Sequence, residues 1–375
     1  MKKVVIAIDS FKGCLPSVEA GKAAAEGIRS VYPECEVICL PIADGGEGML
    51  DVLIMATNGQ EVPISAHDPL MRWRNTYYGI SENGETAFIE MANISGLPLV
   101  PSERRNPMLT TTYGTGEIIR DALERGCRNF IIGIGGSATN DAGLGMLQAL
   151  GFRFSDKEGK EVGTGRGEVL IKVAYIDSTF VHPALNSCRF TVACDVQNPF
   201  YGPEGAAYVF APQKGADREM VEALDAGLQN FAEVIRHTTG KDISHHPGAG
   251  AAGGMGGSLL AFLNAELKPG IQLMLEALDF SNKIKSADLI ITGEGKADRQ
   301  TLMGKVPSGI LAEARKQNIP VILLAGNIED SDELQQAGFE GVFSVNPPFI
   351  SLEEAMRPEV ARKNIQQTVE SICKK

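Results

Sequence analysis

Five glycine-bearing loops punctuate this chain, and four of them follow a short apolar run and mix glycines with acids, amides or hydroxyls. The five loops are Asp9-Ser10-Phe11-Lys12-Gly13, Asp44-Gly45-Gly46-Glu47-Gly48, and the stretches 133–141, 248–257 and 293–301. In open parallel sheets, ligands bind at the carboxyl ends of the strands. Glycines there let backbone N–H groups approach phosphate oxygens, and a following helix N-terminus adds partial positive charge. One such loop means little. Five on one chain constrain it to an α/β scaffold that handles anions.

The intervening segments agree. Residues 4–8 are a β-branched apolar run that reads as a buried strand, followed by a helix to Ser30, a second strand at 37–40 and a helix at 49–56. From His67 the texture changes. Residues 73–78 and 86–91 read as strands around Asn83-Gly84, a hairpin signal. Further strands are expected at 130–134, 190–194, 288–292, 321–324 and 342–345. Helices are expected at 116–125, 142–150, 220–237 and 306–317, with another from Leu259. The expected architecture is α/β with two domains. Residues 1–66 and 284–375 form a discontinuous Rossmann-like parallel-sheet domain, and 67–283 an inserted α/β domain with a mixed sheet.

The chain has 375 residues and a formal charge of −12. That balance argues against nucleic acid, which needs clustered Lys and Arg. No segment is apolar for the length of a membrane span. The seven cysteines include no C-x-x-C pair, which fits a reducing, cytoplasmic setting and argues against a zinc site. No G-x-x-x-x-G-K-[ST] loop is present, and the five histidines have no metal-type spacing.

Each loop has a chemical and a bland reading. Lys12 can hold a carboxylate or a phosphate as a point charge, or simply be a solvated lysine beyond a Ser10 cap. Asp44 and Glu47 suit Mg²⁺, or a helix start. Gly133, Gly135 and Ala138 satisfy G-x-G-x-x-A, with Asp156 about 20 residues on, as in a nicotinamide dehydrogenase. Asp141 in that loop repels a phosphate unless a cation intervenes. Gly253, Gly254, Gly256 and Gly257 read as an anion nest or a hinge. Glu294 and Asp298 can serve a metal, and Lys305 a transferring phosphoryl group. Asp195 ends an apolar strand and suits the base role, or an Asx turn before Pro199.

The blocks 8–17, 41–51, 133–151, 194–203, 248–271 and 292–307 resemble, in order, those of the bacterial glycerate kinase family, type 1. The resemblance implies two α/β domains with a cleft between them, and transfer of the ATP γ-phosphoryl group to D-glycerate, with the 2-hydroxyl as acceptor. It implies ATP and Mg²⁺ as cofactors and a place in glycerate, glyoxylate or sugar-acid catabolism. In that light Asp195 is the candidate base, with Lys12 and Lys305 also catalytic. Ser10, Lys12 and Asn198 hold substrate. Gly135, Gly136, Ser137, Gly253, Gly254, Gly256, Gly257, Gly293 and Gly295 cradle phosphates, and Asp44, Glu47 and Asp298 are metal candidates. The chain departs from the family at Cys14, where serine is common, and at Lys296-Ala297, where Arg-Leu is common. The competing classes are a dehydrogenase built on the 133–138 pattern and a non-catalytic two-lobed binder of small acids. Oligomeric state, a homodimer included, stays open.

Overall fold

The computed structural model describes residues 1–46 and 48–374. Within them the strands are β1 (Lys3–Ile8), β2 (Glu36–Cys39), β3 (Gln60–His67), β4 (Trp73–Ile80), β5 (Thr86–Glu90), β6 (Asn129–Gly133), β7 (Arg153–Ser155), β8 (Tyr175–Asp177), β9 (Arg189–Ala193), β10 (Glu266–Lys268), β11 (Leu289–Ala297), β12 (Val321–Ile328) and β13 (Gly341–Ser344). The chain divides into two compact units, Met1–Asp44 with Ile271–Lys375, and Gly45–Gly270. The sequence alone put those divisions near residues 66 and 284. Strand β3 belongs to the second unit because it pairs along its length with β4.

The first unit holds an all-parallel sheet in the order β13-β12-β11-β1-β2. Val4 to Ile8 are buried to 1 % or less, as expected of a central strand covered on both faces. Helix Ser17–Val31 lays Ala20, Ala23, Ala24 and Ile28 into this core, together with Ala361, Ile365 and Val369 of helix Pro358–Cys373. The two helices meet at Gly27, where a Cβ would stand 2.5 Å from the Gln366 carbonyl oxygen. β11 is longer than its apolar run. It continues through Gly293, Glu294 and Gly295 to Ala297, stretches expected to be loop, because β12 keeps pairing with it.

The second unit holds a mixed sheet in the order β10-β9-β6-β5-β4-β3. β5, β6, β9 and β10 run parallel, while β3, β4 and β5 form antiparallel pairs. Asn83-Gly84 makes the turn between β4 and β5, with Gly84 at φ +73°. Phe130, Phe190 and Phe231 fill the core on its strands and on helix Arg218–Thr239. Among the described residues no helix is long and apolar enough to cross a membrane.

The 248–257 run is not an open nest. Helix Met255–Leu263 begins inside it, four residues before the expected start at Leu259. The N–H groups of Gly254, Gly256 and Gly257 donate to Gly250, Ala251 and Ala249. A Cβ on Gly253 would stand 2.1 Å from the Thr139 carbonyl oxygen, and one on Gly257 2.6 Å from the Phe200 ring. These glycines are needed for close packing. Accordingly, Gly253→Ala should destabilise the protein by about 1–3 kcal/mol in urea unfolding, since it adds both a clash and a residue at φ +67°. The folded fraction should keep its ligand affinities within about twofold; a selective loss of affinity for anions would restore the nest.

Candidate active site

A cavity of about 410 Å³ opens in the first unit at the carboxyl ends of β1, β11 and β12. That size is ordinary for a small-molecule site. Asp9, Ser10, Lys12, Asp44, Gly295 and Lys305 are among its lining residues. The position follows from the sheet: parallel strands all end on one edge, and the loops leaving β1, β2 and β11 meet there.

Its charges are unusual. Asp9 and Glu294 are each only 6 % exposed. Asp9 accepts the Ser10 N–H at 2.7 Å. Burial and the neighbouring Asp44 push its pKa up to about 7, against the pull of the Ser10 N–H and Lys12. Burial likewise raises the Glu294 pKa, although the Thr301 hydroxyl and Lys305 oppose it. Glu294 Oε1 has no hydrogen-bond partner. Of the three lysines that line the cavity, Lys296 among them, Lys12 stands 3.6 Å from Asp44 and Lys305 3.9 Å from Glu294. Both contacts are longer than a hydrogen bond, so neither lysine is locked to its carboxylate.

Asp298 sits beside this group but does structural work as well. Its side chain caps the short helix Arg299–Leu302 through the Gln300 N–H at 2.8 Å, and Lys296 lies 3.5 Å away. Desolvation alone would raise its pKa. The Gln300 N–H, Lys305 and Lys296 outweigh that and hold it below the ordinary value. Glu47, the third metal candidate, lies outside the described residues. Gly293 is a ladder residue of β11, and the Leu324 carbonyl oxygen stands where its Cβ would be.

A divalent cation fits this donor set in one form only. Among the described residues, no three His, Cys, Asp or Glu side chains come together to hold a metal. Mg²⁺, however, usually takes one or two carboxylates and completes its shell with waters and phosphate oxygens. The orphaned Glu294 Oε1 and the carboxylate crowding at Asp9 are what such a hydrated ion relieves. The sequence alone names Asp44 and Glu294 as metal candidates, and it does not single out Asp9 within its loop.

The remaining predicted residues lie in the second unit. Gly135 and Gly136 are exposed and line a separate cavity of about 500 Å³ with Gly46, Arg74, Glu90 and Asn93. Ser137 is buried, and its hydroxyl receives the Lys214 ammonium at 2.8 Å, so it belongs to the loop's support. Lys214 also donates to the Thr139 carbonyl at 2.6 Å. It is 2 % exposed, and burial drives its pKa down to about 7 while Asp141 works the other way. Asp141 is fully buried, and its carboxylate accepts from Thr112, Gly143 and Gly145. It therefore holds the loop together. No helix starts at Gly135; the next begins at Leu144, so the dinucleotide-type turn suggested by Gly133, Gly135 and Ala138 does not form. Asp195 is exposed at the end of β9, with Oδ1 accepting the Gly270 N–H at 2.8 Å. Asn198 is half-buried and donates to the Glu204 carbonyl at 2.8 Å.

This arrangement can be set against known proteins. The model of the glycerate kinase family matches residues 4–375. The chain belongs to that family. Glycerate kinase from Bacillus subtilis strain 168 is 46 % identical over 372 residues, covering 99 % of this chain and 97 % of that protein. Glycerate 2-kinase from Escherichia coli K12 is 48 % identical, covering 95 % and 93 %. The crystal structure of a candidate glycerate kinase 2 from Salmonella typhimurium LT2 matches with a TM-score of 0.91 at 44 % identity, covering 100 % of this chain and 97 % of that one.

Two outcomes are expected of this family member. A raised carboxylate pKa favours the fold at low pH: the Asp9 contribution is complete below its ordinary value of 3.8 and is lost as pH rises through about 7. A Mg²⁺ ion held by these carboxylates would compete with that proton. Thermal unfolding with and without MgCl₂ should therefore show a larger Mg²⁺ stabilisation near pH 8 than near pH 5, and Glu294→Gln should shrink the difference. Equal shifts at both pH values would remove the carboxylates as cation holders. Separately, Lys214→Met should cost about 1–3 kcal/mol in urea unfolding, because it strands Ser137 Oγ and the Thr139 carbonyl.

Proposed function

We propose that this chain is a glycerate kinase that transfers the γ-phosphoryl group of Mg-ATP to the 2-hydroxyl of D-glycerate, giving 2-phospho-D-glycerate. The observation that carries the reading is the first unit's cavity, where Lys12 and Lys305 stand among the buried carboxylates Asp9 and Glu294 and the partly exposed Asp44. Lysines not locked to their carboxylates, beside buried carboxylates that a cation would relieve, are what a cation–polyphosphate complex requires of a protein. The names of the Bacillus subtilis and Escherichia coli relatives support glycerate as acceptor, and the latter supports the 2-hydroxyl.

The roles follow from chemistry. When bound, Mg²⁺ offsets negative charge on the phosphate oxygens. Asp44, Glu294 and Asp9 would hold it or its waters, with Asp298 further out. Lys305 is half-buried at the start of helix Val306–Arg315 and serves as the fixed positive partner of the transferring group. Ser10 and Asn198 hold acceptor oxygens. Lys12, a flexible point charge, serves a carboxylate or a phosphate oxygen. Gly135 and Gly136 present backbone N–H groups to an anion. Asp195 takes the proton from the acceptor hydroxyl as the phosphoryl group transfers. The setting is a cytoplasmic step of glycerate, glyoxylate or sugar-acid breakdown.

Purified protein supplied with Mg-ATP and D-glycerate, and coupled straight to enolase without mutase, should give phosphoenolpyruvate at once. A product that needs mutase would move the attack to the 3-hydroxyl, and ADP release independent of glycerate would sink the reading. Asp195→Asn should lower kcat by about 10²-fold or more with little change in KM, the pattern of a group used in the transition state. A fully active variant removes Asp195 from the mechanism.

A further inference from the structure

The cavity of the first unit has two chemically distinct parts. One is charged, with Asp9, Lys12, Asp44, Glu294, Lys296 and Lys305. The other is apolar: Phe11, Cys14, Val345, Leu352, Ala355 and Met356 also line the cavity. These residues form a patch of their own. Cys14 Sγ lies 3.8 Å from the Ala355 carbonyl, and a Cβ on Gly13 would meet the Met356 methyl at 3.3 Å. A Cβ on Gly326 would stand 3.6 Å from the Phe11 ring. Phe11 is 5 % exposed, whereas Leu352 and Met356 are 78 % and 38 % exposed at the cavity's apolar side.

Glycerate does not explain this patch. It has three carbons, each bearing oxygen, and offers no face for an aromatic ring, a thioether and a leucine. A heteroaromatic base does. Its faces are apolar and stack on rings and sulfur, while its edge carries neutral donors and acceptors. Two neutral amides, Asn327 and Asn346, line the same cavity. Asn346 is held in place, donating to the Gly326 carbonyl at 2.8 Å and accepting from Asn364 at 3.2 Å. A molecule with a flat apolar end and a polyanionic end matches the cavity's two parts in order.

We infer that the apolar part, formed by Phe11, Cys14, Leu352, Ala355 and Met356, is the subsite for the purine base of the phosphoryl donor, so that the parallel-sheet unit holds the nucleotide. The inference rests on the kinase reading above and adds to it which unit carries the nucleotide and which residues meet the base. Lys12 and Lys305 then face the phosphates of the same molecule.

The test is calorimetric titration of the full chain with adenosine, ADP and inorganic tripolyphosphate, each with MgCl₂. Met356→Asp places a carboxylate in the apolar part, and Leu352→Asp, at a highly exposed position, does so with least risk to folding. Both variants should weaken ADP by about tenfold or more and abolish adenosine binding, while tripolyphosphate stays within about twofold of the unaltered protein. Adenosine and ADP bound with unaltered affinity by both variants would overturn the inference. So would an equal weakening of all three ligands, which would mean general damage to the cavity. If the unaltered chain fails to consume ATP with glycerate, the kinase reading falls as well; if it consumes ATP and only the variants behave as unaltered protein, the base subsite alone falls.

Discussion

The hydrogen bond from the Asp9 N–H to the Gly293 carbonyl, at 2.9 Å, fixes the rest of the first unit's chemistry. It is the last rung of the β1–β11 ladder, which pairs Ile8 with Gly293. One step beyond it the two strands present Asp9 and Glu294, carboxylates from opposite ends of the chain, under the same cover. Neither would be buried without the other strand. Their desolvation is a cost that the sheet imposes, and carboxylates at that cost persist where something neutralises them. Lys12 arrives on the loop after β1 and Lys305 on the turn before helix Val306–Arg315, each near enough to pair and too far to saturate.

Such a site is poorly suited to being empty at neutral pH and well suited to a ligand that brings positive charge with it. That is the physical content behind perturbed pKa values as pointers to function. The second unit shows the contrasting case. Lys214 and Asp141 are equally buried, and their pKa values are also displaced, yet every direction around Asp141 is filled by donors from Thr112, Gly143 and Gly145. There the perturbation comes from a loop support. The difference lies in the unfilled oxygen of Glu294 and the open cavity in front of it, and the size of the shift does not reveal it.

Much of the scaffold was legible because buried parallel strands are written as β-branched runs. β1, β6, β9 and β12 all read this way. β3 was not legible: it is an edge strand with Pro63 and alternating exposure, so it carries little apolar signal. Helix Pro358–Cys373 was missed for a similar reason, since only a thin stripe of Ala361, Ile365, Val369 and Cys373 is buried. In the site, Lys12, Asp44 and Lys305 could be named from loop position. Asp9 could not be distinguished from an ordinary strand-end acid, because its burial depends on a register with β11. Lys214 stands in a Pro-Gln-Lys-Gly turn that reads as surface, and only the fold brings Ser137 and Thr139 to it.

The glycine clusters, which constrain the chain so strongly as sequence, turn out to have two physical causes. Gly253, Gly257 and Gly293 are small because backbone or ring atoms of a neighbour occupy the place of a side chain. Gly135 and Gly136 are small where nothing crowds them closely and the backbone faces a cavity. Both causes put glycine after a strand, so a linear pattern cannot separate them. What separates them is where their N–H groups go. In the 248–257 run the N–H groups of Gly254, Gly256 and Gly257 are consumed by turns. A glycine whose missing side chain is replaced by a neighbour's carbonyl cannot also admit a phosphate. Within the five loops Gly135, Gly136 and Gly295 meet no neighbouring atom nearer than 3.4 Å where a side chain would stand, and there anion chemistry has room to occur.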